Sequence, residues 1–113
     1  MKKAEFEALV REAVRGLPEP IRSKLDNTLF VVKDRGRDGE GEDLLGLYEG
    51  TPYPDREGSE PVFPDRITLY QNAIEDEGGT REGILKVIQE TVLHEVGHFL
   101  GLDEEDLDEM GLA

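Results

Sequence analysis

Apolar side chains in the first third of the chain recur at helical spacing and then give way to a β-rich run. Over Ala4–Arg15 they return every three or four residues, which predicts an amphipathic helix that ends at Gly16. Pro18 and Pro20 then favour a short helical turn. Thr28–Lys33 is rich in branched and aromatic residues and therefore predicts a strand.

The middle of the chain predicts two more strands between loops. Asp34–Asp43 is charged and contains glycines, which is typical of a mobile surface loop. Leu44–Glu49 predicts a second strand, Gly50–Pro64 a long irregular connection rich in proline, and Asp65–Gln71 a third strand. Alternation along this third strand predicts two core-facing side chains, Ile67 and Leu69, and three outward-facing ones, Arg66, Thr68 and Tyr70.

The longest helical pattern lies near the C-terminal end. No proline interrupts Ile84–Leu100, Thr80 is a good N-cap, and Gly101 stands where a helix ends in the left-handed conformation. Glu104–Met110 predicts a last helical turn. The stripe predicted to be buried consists of Leu85, Ile88, Val92, Val96 and Phe99.

This order of elements predicts the fold class. A helix, then strands, then a helix suits an α+β fold in which helices cover one face of a small mixed or mostly antiparallel sheet. The chain has 113 residues, which fits a single domain over residues 1–113. A chain of this size buries roughly 65% of its unfolded surface, so a modest core suffices without covalent cross-links.

Composition excludes several classes of function. With 27 acidic and 13 basic residues the net charge is −14, which disfavours nucleic acid as a partner and favours cationic ones. The alternative explanation of this acidity is that it only keeps the protein soluble. The chain has no cysteine, which excludes disulfides and thiolate metal ligands and agrees with a cytoplasmic location. Neither a signal peptide nor a membrane span is expected, because residues 1–20 are charged throughout and no apolar run reaches 18 residues.

The chemistry of the chain is concentrated in one short motif. His94 and His98 are its only histidines, and with Glu95 they form the pattern H-E-x-x-H. Residues four apart on a helix share a face, with Cβ atoms roughly 5–6 Å apart. Two imidazoles so placed can bind one Zn²⁺, and the glutamate between them can act as a general base.

A third metal ligand has to return from beyond the helix. A sharp turn at Gly101 can swing acidic residues back towards the histidines, and three of them are candidates: Asp103, Glu104 and Asp106. The alternative is that the histidines are ordinary half-buried polar residues and that the acidic tail is a solvated helix start.

The stretch His94–Glu104 resembles the zinc motif of the small bacterial zincin-like metallopeptidases, H-E-x-x-H-x-x-G-x-x-D. Leu45–Pro52, Pro64–Tyr70 and Thr91–Leu93 also resemble segments of that family. The resemblance covers nearly the whole chain except Asp34–Asp43. It implies a minimal zincin, with a small sheet packed on an N-terminal helix and on the motif helix.

The resemblance also implies a ligand set. The family's third ligand is an aspartate at the position that Glu104 occupies here, so the implied zinc ligands are His94, His98 and Glu104. Glutamate is one methylene longer than aspartate, which leaves Asp103 and Asp106 as alternatives.

Three classes of function follow. The first is a zinc metallopeptidase that hydrolyses peptides or flexible protein segments, with a bias towards basic ones, through a zinc-activated water and Glu95 as general base. In such enzymes an edge strand often binds the extended substrate, and the strand of Tyr48 or that of Tyr70 can serve. Either tyrosine could stabilise an oxyanion, although ordinary strand packing is the simpler interpretation. The second class is a non-catalytic metal-binding or protein-interaction module, and the third a structural protein without metal.

Overall fold

The N-terminal helix forms where the apolar spacing predicts it. A computed structural model describes residues 1–56 and 63–109, so part of the predicted irregular connection, and Met110 of the last predicted turn, lie outside the described residues. Helix α1 spans Lys3–Arg15, and a short helix α2, Glu19–Arg22, follows directly after Pro18. A 3₁₀ turn over Ser23–Leu25 leads into the sheet. The side chains that α1 buries are Phe6, Leu9, Val10 and Ala13.

Three strands form one mixed sheet. They are β1 (Thr28–Lys33), β2 (Gly46–Glu49) and β3 (Asp65–Tyr70), in the spatial order β1-β3-β2. β1 runs parallel to β3 with Thr28 opposite Asp65, and β2 runs antiparallel to β3 with Gly46 opposite Leu69. The chain therefore has the predicted α+β fold, with its last strand at the centre of the sheet and β2 at an edge.

The central position of β3 corrects the prediction for its side chains. Thr68 and Tyr70 were expected to face outward, yet they are only 1% and 7% exposed; of the three, only Arg66 is exposed. A central strand is flanked within the sheet by a strand on each side, so side chains of β1 and β2 lie beside its own. In addition, the loop residue Gly36 packs directly on the ring of Tyr70. The strand also ends one residue earlier than predicted, because Gln71 begins a helix.

Helix α3, Gln71–Gly78, was not predicted. Two helical turns are too short for apolar periodicity to stand out, and the segment is mostly polar. Two hydrogen bonds tie it to distant backbone: Gln71 Nε2 donates to the Met1 carbonyl at 2.8 Å, and the Asn72 N–H donates to the Asp34 carbonyl at 3.0 Å. Tertiary contacts thus support a helix that the local sequence signals weakly.

Helix α4, Arg81–Phe99, carries the H-E-x-x-H motif and packs on α1, β2 and β3. Thr80 caps it as predicted, with its hydroxyl oxygen accepting a hydrogen bond from the Gly83 N–H at 3.1 Å. The buried stripe differs from the prediction at its start, where Ile84 is buried and Leu85 only half-buried. The predicted members that are buried are Ile88, Val92, Val96 and Phe99.

A short last helix, α5, spans Glu104–Glu109. The core lies between α1, α4 and the sheet, with fully buried Phe6, Ile67, Leu69 and Ile88 at its centre. Within the described part of the chain, no helix is both long enough and apolar enough to cross a membrane.

Candidate metal centre

The C-terminal part of α4 places the two histidines one helical turn apart, and both are half-buried. Their ring centroids are 4.9 Å apart, and the two Nε2 atoms are 3.2 Å apart. Nitrogen ligands at about 2.0–2.1 Å from a tetrahedral zinc ion lie about 3.3 Å from one another. The two imidazoles therefore stand near the spacing that a shared zinc ion requires.

Gly101 ends α4 in the conformation that glycine favours and turns the chain back. Its φ is +90°, the Leu102 N–H donates to the Gly97 carbonyl, and the Gly101 N–H donates to the His98 carbonyl, both at 3.0 Å. These two hydrogen bonds are those of the Schellman motif. Pro54 packs against Gly101 so closely that a Cβ added there would lie 2.9 Å from Pro54 Cγ.

Two of the three candidate acids are used to start α5. The Asp106 N–H donates to Asp103 Oδ1 at 2.8 Å, and the Asp103 N–H donates to Asp106 Oδ2 at 3.0 Å. This reciprocal pair is a capping box. Leu107 is fully buried and lies against Gly97, where any added Cβ would collide with it. Local hydrogen bonds and packing thus fix the orientation of α5.

This orientation brings Glu104 to the histidines. Its Oε1 lies 3.0 Å from His94 Nε2 and 2.8 Å from His98 Nε2, so three potential ligand atoms face one point. Burial opposes ionisation of Glu104, but hydrogen bonds and charge interactions with both histidines outweigh that effect and lower its pKa. Of the three acids, the structure brings Glu104 to the pair and gives Asp103 and Asp106 to the helix cap.

The hydrogen-bonding state of His98 tests whether these residues fit a metal ion. Its Nδ1 lies 2.9 Å from the Leu102 carbonyl oxygen, which can only accept, so Nδ1 carries the donated proton. In neutral His98 the lone pair of Nε2 then faces the carboxylate oxygen of Glu104. Two acceptors at this distance repel each other unless a cation, either a proton or a metal ion, lies between them. The donor set fits zinc, and the Leu102 carbonyl is the kind of partner that orients histidine ligands.

Glu95 stands beside this cluster rather than in it. It is 7% exposed, and its Oε2 lies 4.0 Å from His94 Nε2. Burial raises the pKa of Glu95, while His94, His98 and the Tyr48 backbone N–H lower it and Glu104 adds to the rise. The net result is a carboxyl group that binds a proton more readily than an ordinary glutamate.

A groove between β2 and α4 gives access to the cluster. A hollow of about 690 Å³ is lined by the histidines, Glu104, and residues that follow β2, among them Pro52 and Asp55. A second hollow, of about 340 Å³, continues towards the first turns of α4. The residues that line both hollows are Leu44, Gly46, His94 and Glu95.

Strand β2 turns part of its backbone to this groove. The Tyr70 N–H donates to the Leu45 carbonyl at 2.9 Å, so alternation in an antiparallel pair directs the backbone groups of Leu47 to β3 and those of Gly46 and Tyr48 away from it. Gly46 also lets the strand approach α4, since an added Cβ would lie 2.7 Å from Thr91 Cγ2 and 3.1 Å from Glu95 Cγ. Of the two strands considered for substrate, only that of Tyr48 lies at an edge; the strand of Tyr70 is central.

A buried polar group next to the site was missed by sequence analysis. Asp65 is 1% exposed, forms an ion pair with Arg56, and accepts a hydrogen bond from the Tyr48 hydroxyl at 2.9 Å. Burial and the contact with Asp65 raise the pKa of Tyr48. The Tyr48 hydroxyl is thus occupied by a structural hydrogen bond to Asp65. Tyr48 and Arg56, the two partners of Asp65, precede it by 17 and 9 residues, and no spacing rule in the sequence connects the three.

Comparison with known proteins assigns the chain to a family. A family model described as zincin-like metallopeptidase matches residues 25–112. Among solved structures, a conserved hypothetical protein from Thermo thermophilus is similar to this chain with a TM-score of 0.63 and 23% identity, over 96% of this chain and 99% of that one. At that identity the likeness concerns the fold alone. No curated protein matches the chain.

Proposed function

The chain belongs to the zincin-like metallopeptidase family, and on that premise we propose that it is a zinc-dependent peptidase with His94, His98 and Glu104 as metal ligands and Glu95 as general base. The observation that carries the proposal is the convergence of three donor atoms at the floor of an open groove, with a buried carboxyl group beside them. A purely structural zinc site is usually closed by a fourth protein ligand and has no need of that carboxyl group.

Each residue then has a distinct task. When bound, zinc acts as a Lewis acid, which lowers the pKa of a coordinated water to about 7 and polarises a carbonyl group. Glu95 accepts the proton of the attacking water and passes it to the leaving amine. The raised pKa suits Glu95 to hold that proton between the two steps. His98 is held for ligation by the Leu102 carbonyl.

The substrate we propose is an extended peptide or a flexible protein segment. Such a chain can add to the edge of β2 through the N–H and carbonyl of Gly46 and the carbonyl of Tyr48. The Tyr48 N–H does not take part in this pairing, because it donates to Glu95. The net charge of −14 and the carboxylates of Glu77 and Glu90 in the smaller hollow favour basic segments.

The test is a digest of a broad peptide library by zinc-loaded protein, with a chelator control. We expect cleavage that chelation abolishes and that Glu95→Gln abolishes while zinc content stays near one per chain, because the amide keeps the shape of the carboxyl group but not its basicity. Glu82→Gln, an equal charge change in the exposed first turn of α4, should cleave at the parental rate.

Two results would contradict the proposal. Cleavage by Glu95→Gln at the parental rate would remove its assigned base. Stoichiometric zinc without any cleavage would instead favour the alternative, a metal-binding or protein-interaction module on the same scaffold.

A further inference from the structure

We propose that Arg56 is a positioning residue of the candidate active site. It holds the residues Thr51–Arg56, the wall segment, in place, and Pro52 and Asp55 of this segment line the larger hollow together with the histidines and Glu104. The inference rests on the proposed function in that it concerns the substrate groove of the same site, and it assigns to Arg56 a task that the zinc motif does not contain.

The anchor of the wall segment is a buried ion pair. The side chains of Arg56 and Asp65 are 8% and 2% exposed, and Arg56 Nη2 contacts Asp65 Oδ2. Asp65 is itself fixed, because it begins the central strand and its N–H donates to the Asn27 carbonyl at 3.1 Å. A buried carboxylate without a partner is strongly unfavourable, so Asp65 stabilises conformations in which the Arg56 guanidinium contacts it.

Arg56 also closes the wall segment on itself. Its Nε donates to the Thr51 carbonyl at 3.1 Å, and its backbone N–H donates to the Tyr53 carbonyl at 3.3 Å. The guanidinium carbon lies 5.0 Å from the ring centroid of Phe99 and 5.5 Å from that of Tyr53, within the range of cation–π attraction. One side chain therefore joins both ends of the segment to β3 and to α4.

The wall segment meets the metal centre at two points. Phe99, on which Arg56 lies, directly follows His98, and Pro54 packs on Gly101, which turns the chain towards Glu104. From this position Pro52 and Asp55 line the larger hollow. Loss of the anchor should loosen the wall against which a substrate would lie and leave the three ligands on their own helices.

The geometry requires arginine rather than a positive charge alone. The planar guanidinium donates in two directions and stacks on rings at the same time, whereas the ammonium group of lysine is a point charge without that fork. Arg56→Lys is therefore the informative variant, because it keeps the charge opposite Asp65. Arg81→Gln is the control, since it removes a guanidinium from an exposed pair with Glu5, 65% and 48% exposed, outside the groove.

The experiment has three readouts on the 113-residue chain. Amide hydrogen exchange at residues 55 and 56 should be faster in Arg56→Lys, since those N–H groups bond within the wall segment. Affinity of the zinc-loaded protein for an alanine-based peptide hydroxamate should fall by about tenfold or more, because small misplacements of a binding wall are costly. Zinc affinity should change by less than the roughly tenfold loss that follows removal of a ligand-supporting contact. The control should match wild type in all three.

The outcomes separate the inference from the proposed function. Wild-type protein that binds the hydroxamate, with Arg56→Lys binding it equally well, would overturn the role of Arg56 and leave the peptidase proposal standing. Unchanged exchange at residues 55 and 56 would overturn the anchoring itself, whether or not peptides bind. Wild-type protein that takes up zinc but binds no hydroxamate would count against the proposed function, and with it against the inference.

Discussion

Two glutamates of the motif region have pKa values that shift in opposite directions. Burial raises the pKa of Glu95. Burial also acts to raise the pKa of Glu104, but the hydrogen bonds and charges of the two histidines outweigh it and lower that pKa. Carboxyl groups separated in this way commonly divide the work of proton transfer and charge stabilisation. The proton-accepting role therefore suits Glu95, and the ligand role suits Glu104.

The raised pKa of Glu95 predicts a pH-dependent stability of the metal-free protein. Because the folded state binds this proton more tightly than the unfolded state, the stability linked to Glu95 is fully present below the unfolded pKa, roughly 4.3, and is lost as pH rises through the folded pKa. Glu95→Gln removes that loss. Thermal denaturation in chelator should give the variant a higher Tm than wild type at neutral pH and no advantage near pH 4, whereas a difference independent of pH would contradict the burial of a charged Glu95.

At the same scale, Glu104 should be the acid whose loss weakens zinc binding. Titration calorimetry should give a loss of more than about tenfold for Glu104→Ala, because a ligand is removed. Glu105→Ala, at the neighbouring exposed position, is the matched control and should bind as wild type. Asp103→Ala and Asp106→Ala should each cost about 1 kcal/mol of stability by loss of the capping box. A larger affinity loss at Asp103 or Asp106 than at Glu104 would contradict the proposed ligand set.

At the scale of elements, the turn between α4 and α5 is what connects the histidines with an acid from another helix. Gly101→Ala should destabilise the protein by about 1–2 kcal/mol, because alanine is strained at a φ of +90° and its Cβ presses on Pro54. It should also weaken zinc binding by shifting Glu104. Denaturant unfolding and zinc titration check both effects. Gly39→Ala is the control, since that loop glycine has no atom near its added Cβ, and parental behaviour of Gly101→Ala would contradict the role of the turn.

The elements of the site could be predicted from local sequence, whereas the third acid, Glu104, was indicated by the family resemblance and not by spacing alone. The H-E-x-x-H spacing, the Thr80 cap and the Gly101 turn are short-range patterns, and the structure contains all three. The choice of Glu104 over Asp103 and Asp106 depends on the capping box and on the burial of Leu107 against Gly97. Both depend on the orientation of a whole helix, which sequence spacing does not specify.

Strand order was also beyond local pattern. Alternation along Asp65–Tyr70 predicts one exposed face, but the place of this strand between β1 and β2 buries Thr68 and Tyr70 as well. The pair of Arg56 and Asp65 likewise joins a residue of the long connection to the strand that follows it. Such contacts arise from topology, and no periodicity in the sequence records them.

At the scale of the whole molecule, the net charge of −14 predicts a salt-dependent preference among substrates. A peptide flanked by lysines should be cleaved faster than one flanked by glutamates, because the acidic field attracts the former. The ratio of the two kcat/KM values should fall as salt rises from about 0.05 to 0.5 M, where the Debye length drops well below 10 Å. A ratio that salt leaves unchanged would show that the field has no part in selection.

The most direct test of the metal centre is anomalous diffraction at the zinc edge from crystals of zinc-loaded protein. The account predicts one zinc ion per chain, bound by Nε2 of His94, Nε2 of His98 and Oε1 of Glu104 at about 2.0–2.2 Å, with Glu95 outside the coordination sphere and a position open to the groove. Zinc held by Glu95, Asp103 or Asp106, or an anomalous peak away from the two histidines, would contradict it.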